Sequence, residues 1–214
     1  MSWELLFTEA ADLLTNLGYY LWQRGEYEQV ESFHKRALVI NEKVLGSEDS
    51  GTATSLAHLA ILYNNLGKYD LAEPLYQRAL DIRERVLGSD HPDTATSLIA
   101  LALLYTNQGK YEEAEPLYKS ALTIYEKILG PEHPWTATCL DHLAALYDSQ
   151  GKYEQAEPLY QRSLAIKNRV LPSNHPSIAN TLENYASLLK KVNRIEEATT
   201  LEKQAREIRA KRSS

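Results

Sequence analysis

Only one cysteine, Cys139, occurs in 214 residues, so no internal disulfide can staple the fold, and a reducing compartment suits the chain. No window approaches 18 apolar residues. The opening stretch MSWELLFTEAADLL has neither a basic n-region nor an unbroken apolar h-region, which argues against a membrane-spanning helix and a secretory signal. The chain therefore reads as cytoplasmic, with no membrane partner. Positive charge is not in excess: 23 Lys and Arg stand against 29 Asp and Glu, interspersed, for a formal charge of −6. A general nucleic-acid binder would need a basic stripe, so nucleic acid is not expected as a partner.

The usual signatures of catalysis are also missing. There is no phosphate-cradling glycine loop, no HExxH and no nucleophile elbow. His91, His133 and His175 fall in equivalent turns a full repeat apart, and His58 and His142 are two repeats apart, so neither set suits one tetrahedral ion. The expectation is no enzyme, no catalytic residue, no cofactor and no metal.

What the chain has is a period. A shift of 42 residues superimposes Gly25, Gly67, Gly109, Gly151 and Asn193, and likewise Tyr27, Tyr69, Tyr111, Tyr153 and Ile195. Five units in register, near 8–49, 50–91, 92–133, 134–175 and 176–214, make one elongated repeat domain over 1–214, in which each unit buries its apolar face on its neighbours. In the third unit Leu98, Leu101, Ala102 and Tyr105 form one helical stripe ending at Gly109. A second stripe runs from Tyr111 through Ala114, Leu117, Tyr118, Ala121, Leu122, Ile124 and Ile128 to Gly130. These are helices A and B, and five such pairs predict an all-α fold of about ten helices. The glycines supply the positive φ that closes a helix, and Asn193 is expected to do the same. The His-Pro pairs at 91–92, 133–134 and 175–176 start each new A helix and reject a continuous coiled coil. Pro74, Pro116 and Pro158 fall inside helix B, where the fold must absorb them.

The end units drift from this pattern. In the first, Leu14, Leu17, Gly18 and Leu21 make the A stripe, preceded by an apolar cluster of Trp3, Leu5, Leu6 and Phe7 that either covers the open end or forms a homo-oligomer contact. In the fifth, Arg206 replaces a leucine, as expected of a helix facing water, and the tail Arg209, Lys211 and Arg212 sits near a helix C-terminus, where cations are favoured.

The pattern Leu98-x2-Leu101-Ala102-x2-Tyr105, followed by Ala114-x3-Tyr118, resembles the tetratricopeptide signature. With helix B prolonged to Leu87-Gly88 and Leu129-Gly130, and with the GKY, EAEPLY and LGxxHP phrases, the chain is similar to the kinesin light chain subclass and its bacterial relatives. That resemblance implies a right-handed α-α superhelix, a solenoid of five helix-turn-helix repeats whose A helices line a concave groove for a peptide or helix. The 214 residues leave no room for the heptad segment of kinesin light chains, so a peptide-binding scaffold carries over and a transport role does not.

By register, the groove residues are Asn16, Tyr19, His58, Ile61, Asn65, Ile99, Leu103, Asn107, Asp141, His142, Glu183 and Asn184. Ile61, Ile99 and Leu103 either face the groove or pack on neighbouring helices. The groove is apolar over the first three units and turns acidic and polar at Asp141, Asp148 and Glu183. Kinesin light chains grip acidic peptides with basic groove residues and an asparagine ladder, of which this chain keeps Asn16 and Asn184 but has His58, Ala100 and His142 between. The expected ligand is a protein or peptide with an apolar anchor and a neutral or basic flank. Alternatives are a self-associating spacer or the sensor portion of a larger bacterial signalling protein.

Overall fold

The computed structural model describes residues 9–11, 13–14, 17–18, 20–21 and 24–211. The Trp3 to Phe7 cluster, Asn16, Tyr19 and Arg212 lie outside them. The described residues from 9 to 21 are helical. Nine further helices follow: α1 (Tyr27–Val44), α2 (Ser50–Asn65), α3 (Tyr69–Leu87), α4 (Pro92–Asn107), α5 (Tyr111–Ile128), α6 (Pro134–Ser149), α7 (Tyr153–Val170), α8 (Pro176–Lys191) and α9 (Ile195–Ala210). No strand occurs among the described residues. The chain divides into two compact bodies, Met1–Gly109 and Lys110–Ser214. Within the first, α1 packs on α2, α2 on α3 and α3 on α4; within the second, each of α5 to α8 packs on its successor. The A helices α2 and α4 also touch, as do α6 and α8.

Each A-to-B turn closes in one way. Gly67 adopts φ +70, its N–H donates to Asn64 O, and Lys68 N–H reaches back to Tyr63 O at 2.8 Å, the paired bonds of a Schellman ending. Asn193, at φ +63, is the only described non-glycine with positive φ, and Arg194 N–H donates to Leu189 O at 2.9 Å. The substitution expected to preserve this turn does so.

The B-to-A turn uses chemistry that the sequence pattern did not disclose. The histidine of each His-Pro pair is the helix N-cap: Nδ1 of His91, His133 and His175 accepts from the backbone N–H of Asp93, Trp135 and Ser177 at 3.1 to 3.2 Å. Asp49 does the same for Gly51 at 2.7 Å. An acceptor at this position satisfies one of the N–H groups that the first turn leaves orphaned. His133→Ala is therefore expected to cost about 1 kcal/mol, whereas His133→Asp keeps the acceptor and costs little. Thermal melts of the two variants check this, with the alanine variant lower by ~2–4 °C. A second tie accompanies the cap. Thr52, Thr94 and Thr136 donate to the carbonyls of Gly46, Gly88 and Gly130 at 2.7 to 2.9 Å, where each glycine has φ near +95. At the turn into the fifth unit Pro172 and Ile178 replace both members together, and the backbone bond that the other turns also make remains, His175 N–H to Pro172 O at 2.9 Å.

Alanines make the helix crossings close: Ala53, Ala95, Ala137 and Ala179 on the A helices and Ala72, Ala114, Ala156 and Ala198 on the B helices are fully buried. Tyr76, Tyr118 and Tyr160 are the largest buried side chains, one per central unit. Tyrosines also join consecutive units. The hydroxyls of Tyr63, Tyr105 and Tyr147 donate to Glu31, Glu73 and Glu115 at 2.9 to 3.0 Å, each pair 32 residues apart. The prolines lie inside α3, α5 and α7, and all three helices run through them.

Two stripe assignments are corrected. On α5 the buried residue of the last turns is Tyr125, whereas Ile128 is exposed, because the 3.6-residue period carries position 128 off the packed face. In the first unit Gly18 and Leu21 are buried as expected, but Leu17 is exposed. The equivalent residues of later units, Leu59, Leu101 and Leu143, are buried. A Cβ at Gly18 would stand 3.1 Å from the imidazole of His34, a tight contact that glycine avoids.

Candidate functional site

The A helices carry the residues assigned by register to the groove. In the N-terminal body this face is almost free of charge. Helix α2 contains no Asp, Glu, Lys or Arg, and α4 contains only Asp93, in its first turn. Ile61 is 44% exposed, Ile99 and Leu103 are half-buried, and Asn65 and Asn107 are exposed at the helix ends. Asn107 Nδ2 donates to Asn64 Oδ1 at 3.1 Å, linking the ends of α2 and α4. His58 is half-buried, its ring 6.0 Å from that of His34 on α1. Burial first, and the neighbouring imidazole second, push the His34 pKa down to about 4.

The corresponding face of the C-terminal body is polar, and its acids are paired. Asp141 Oδ2 binds the ammonium of buried Lys167 and lies 2.7 Å from the Thr181 hydroxyl. Glu183 takes two bonds of 2.7 Å from Arg209, which holds its carboxyl below the ordinary range. Asp148 pairs with Lys191 at 2.7 Å, across the same 43-residue separation that joins Asn64 to Asn107. His142 stacks on Tyr118 at 6.0 Å and 9°, and burial lowers its pKa. Asn184 is exposed. The acidity read from Asp141, Asp148 and Glu183 is therefore balanced by cations already in contact with them.

Sequence reasoning missed those cations. The signal was available: Lys167 and Arg209 stand 26 residues after Asp141 and Glu183. It was unreadable without knowing that a B residue returns to the A helix of its own unit at that distance.

Nothing on these faces has the look of reactive chemistry. Burial pushes the Cys139 thiol up to about 12, and its Sγ contacts Tyr118 O at 3.5 Å. Among the described residues no three His, Cys, Asp or Glu side chains gather to hold a metal, and no helix is long and apolar enough to cross a membrane. Two depressions lie elsewhere: a shallow one on α3 lined by Asp70, Glu73 and Asp81, and a smaller one between α8 and α9 lined by Tyr185, Leu189 and Leu201.

Comparison with known proteins places these features in a wider group. A family model described as "Tetratricopeptide repeat" matches residues 9–72, 56–127, 100–169 and 150–211. A solved Podosopora anserina protein, described as a kinesin light chain with nearly identical TPR-like repeats, is 28% identical in a point-substituted form. That match covers 94% of this chain and 95% of that one, with a TM-score of 0.76. BtubC (BKLC) from P. vanneervenii is 21% identical over 99% of this chain and 91% of its own, with a TM-score of 0.76. Pseudomonas aeruginosa pilF is 23% identical over 94% and 77%, with a TM-score of 0.66. The latter two likenesses concern the fold alone. No curated protein is significantly similar in sequence.

Proposed function

Since the chain belongs to the tetratricopeptide repeat family, with kinesin light chain-like neighbours, we propose that it is a non-catalytic scaffold that holds a peptide or helix of a partner protein on its A helices. The observation that carries this reading is the nearly uncharged face of α2 and α4, where Ile61 stands 44% exposed and Ile99 and Leu103 half-buried. A contiguous apolar patch on an exposed face marks a contact surface. Neighbouring helices lie ~8–10 Å apart, so Ile61 and Leu103, equivalent positions on adjacent A helices, present two anchoring points at that spacing. A ligand helix repeats an apolar residue every ~10.5 Å when the residues are seven apart, which suits the pair.

The partner carries an apolar anchor with a neutral or basic flank. The flank follows from the chain's net charge of −6, which attracts basic segments at long range and repels acidic ones. His58, Asn65 and Asn107 frame the apolar centre and offer neutral hydrogen bonds. The A helices of the C-terminal body carry Asp141, His142, Glu183 and Asn184 at the equivalent registers, a polar face of their own. The single buried thiol and the lack of a membrane-spanning helix among the described residues support a cytoplasmic setting.

Peptide arrays probed with the wild-type chain and with an I61D/L103D variant test the reading. The wild type is expected to select peptides with apolar residues seven apart. The variant loses at least ~30-fold in affinity, as expected when the centre of a contact is removed. Selection of acidic peptides alone, or equal binding by the variant, overturns it.

A further inference from the structure

From the second unit on, one stripe of every A helix is closed by the B helix before it. Ser55, Leu59 and Leu62 on α2 are at most 4% exposed, as are Ser97, Leu101 and Leu104 on α4 and Cys139, Leu143 and Leu146 on α6. The cover is visible in the contacts: Asn41 of α1 donates to the Ser55 hydroxyl at 2.8 Å, and Cys139 meets the Tyr118 carbonyl of α5. One period earlier the same stripe consists of Leu13, Leu17 and Tyr20, which are 68%, 43% and 54% exposed.

A second set of contacts accompanies the cover. Glu42 of α1 pairs with Arg78 of α3 at 2.8 Å, and Glu48 in the following turn pairs with Arg85. The C-terminal body repeats both: Glu126 with Arg162 at 2.6 Å and Glu132 with Arg169 at 2.9 Å. One period before Arg78 and Arg85 stand Arg36 and Lys43 on α1, and neither makes an ion pair with a described residue.

We propose that Leu13, Leu17 and Tyr20, together with Arg36 and Lys43, form a docking face for a helix-pair repeat of a partner protein whose last helix and following turn carry carboxylates in the places of Glu42 and Glu48. The apolar stripe supplies the adhesion, and the two cations choose the partner. A second copy of this chain is the poorer occupant. Face to face, it sets Arg36 and Lys43 against their own kind, and its last helix has Ala210 where Glu42 would stand, followed by Lys211.

The test is a chain in which residues 1–7 are replaced by a copy of residues 92–133, which brings Glu126 and Glu132 of the copy into register with Arg36 and Lys43. Amide exchange at residues 13–21 is expected to slow at least tenfold. Changing both glutamates of the copy to lysine lowers the melting midpoint by ~2–4 °C, and adding Arg36→Glu and Lys43→Glu recovers it. An unprotected stripe, whether the added unit stays unfolded or docks elsewhere, overturns the proposal. So does a charge reversal with no recovery. Sedimentation of the unaltered chain supplies the remaining outcome: a dimer abolished by Leu17→Asp gives the face to a second copy and also overturns it.

Discussion

Asp141→Ala is expected to destabilise the C-terminal body by ~3–5 kcal/mol, the cost of leaving a buried charge without its counterion. Lys167 is 3% exposed. Without Asp141 its ammonium keeps only the Thr181 hydroxyl at 2.8 Å and the Ser177 carbonyl at 3.4 Å, two neutral acceptors for a full charge. The loss does not measure how much the pair contributes. Removing both charges, as in D141L/K167M, is expected to return stability to within about 1 kcal/mol of the wild type or above it, because neither ion then has to be desolvated. Urea unfolding of the two variants decides the matter. A single mutant as stable as the double would show that the ammonium finds water, and that the site is less enclosed than its packing indicates.

The second large effect is a dependence on pH. His34 occupies the register of the buried tyrosines Tyr76, Tyr118 and Tyr160, and its Nδ1 has no hydrogen-bond partner. Its pKa is about 4 in the folded chain against 6.5 when exposed. Between those values the unfolded chain binds a proton that the folded chain refuses, so the stability is complete above pH 6.5 and is lost as the pH falls toward 4. The gap of about 2.5 pH units, at ~1.36 kcal/mol per unit, amounts to about 3 kcal/mol. Glu31 and Lys35 on the same helix form an ion pair, and that pairing keeps the Glu31 carboxyl ionised to lower pH, so its own contribution begins further into acid. His142 acts in the same direction as His34, since burial lowers its pKa too. In His34→Phe the acid limb should lose the His34 part and keep that of His142 and, nearest pH 4, that of the carboxylates whose pKa is held low, among them Glu31, Glu115 and Glu183. Unfolding curves at pH 7, 5.5 and 4.5 provide the comparison, and an unchanged slope in the variant would rule His34 out as its source.

The second effect arises where the first unit departs from its siblings, whereas the first concerns a pair that the next unit keeps as Glu183 and Arg209. The helices, their glycine and asparagine endings and the alternation of A and B were legible because a 42-residue period repeats each signal several times. Leu104 and Tyr125 were not, since the chosen stripes followed one ridge of each helix while both helices are covered from two sides. The histidine caps escaped notice because histidine is an uncommon cap, and only its Nδ1 contact reveals the role. At the candidate site, register alone selected Ile61, Ile99 and Leu103, and all three stand on helices almost without charge. It could not show that Asp141, Asp148 and Glu183 were already matched by Lys167, Lys191 and Arg209. Those partners are 26 to 43 residues away, and only the packing of consecutive pairs brings them together.

One ion pair between B helices recurs after 84 residues and has no equivalent after 42: Glu42 with Arg78 returns as Glu126 with Arg162. One period after Glu42 and Arg78 the sequence has Glu84 and Ser120, a combination that cannot form an ion pair. For anyone shortening or lengthening this molecule, the part whose removal preserves this pair is two repeats. Excising residues 50–133 returns Glu42 to an arginine, whereas excising 50–91 sets it against a serine. A duplication history that copied pairs of units would leave the same trace.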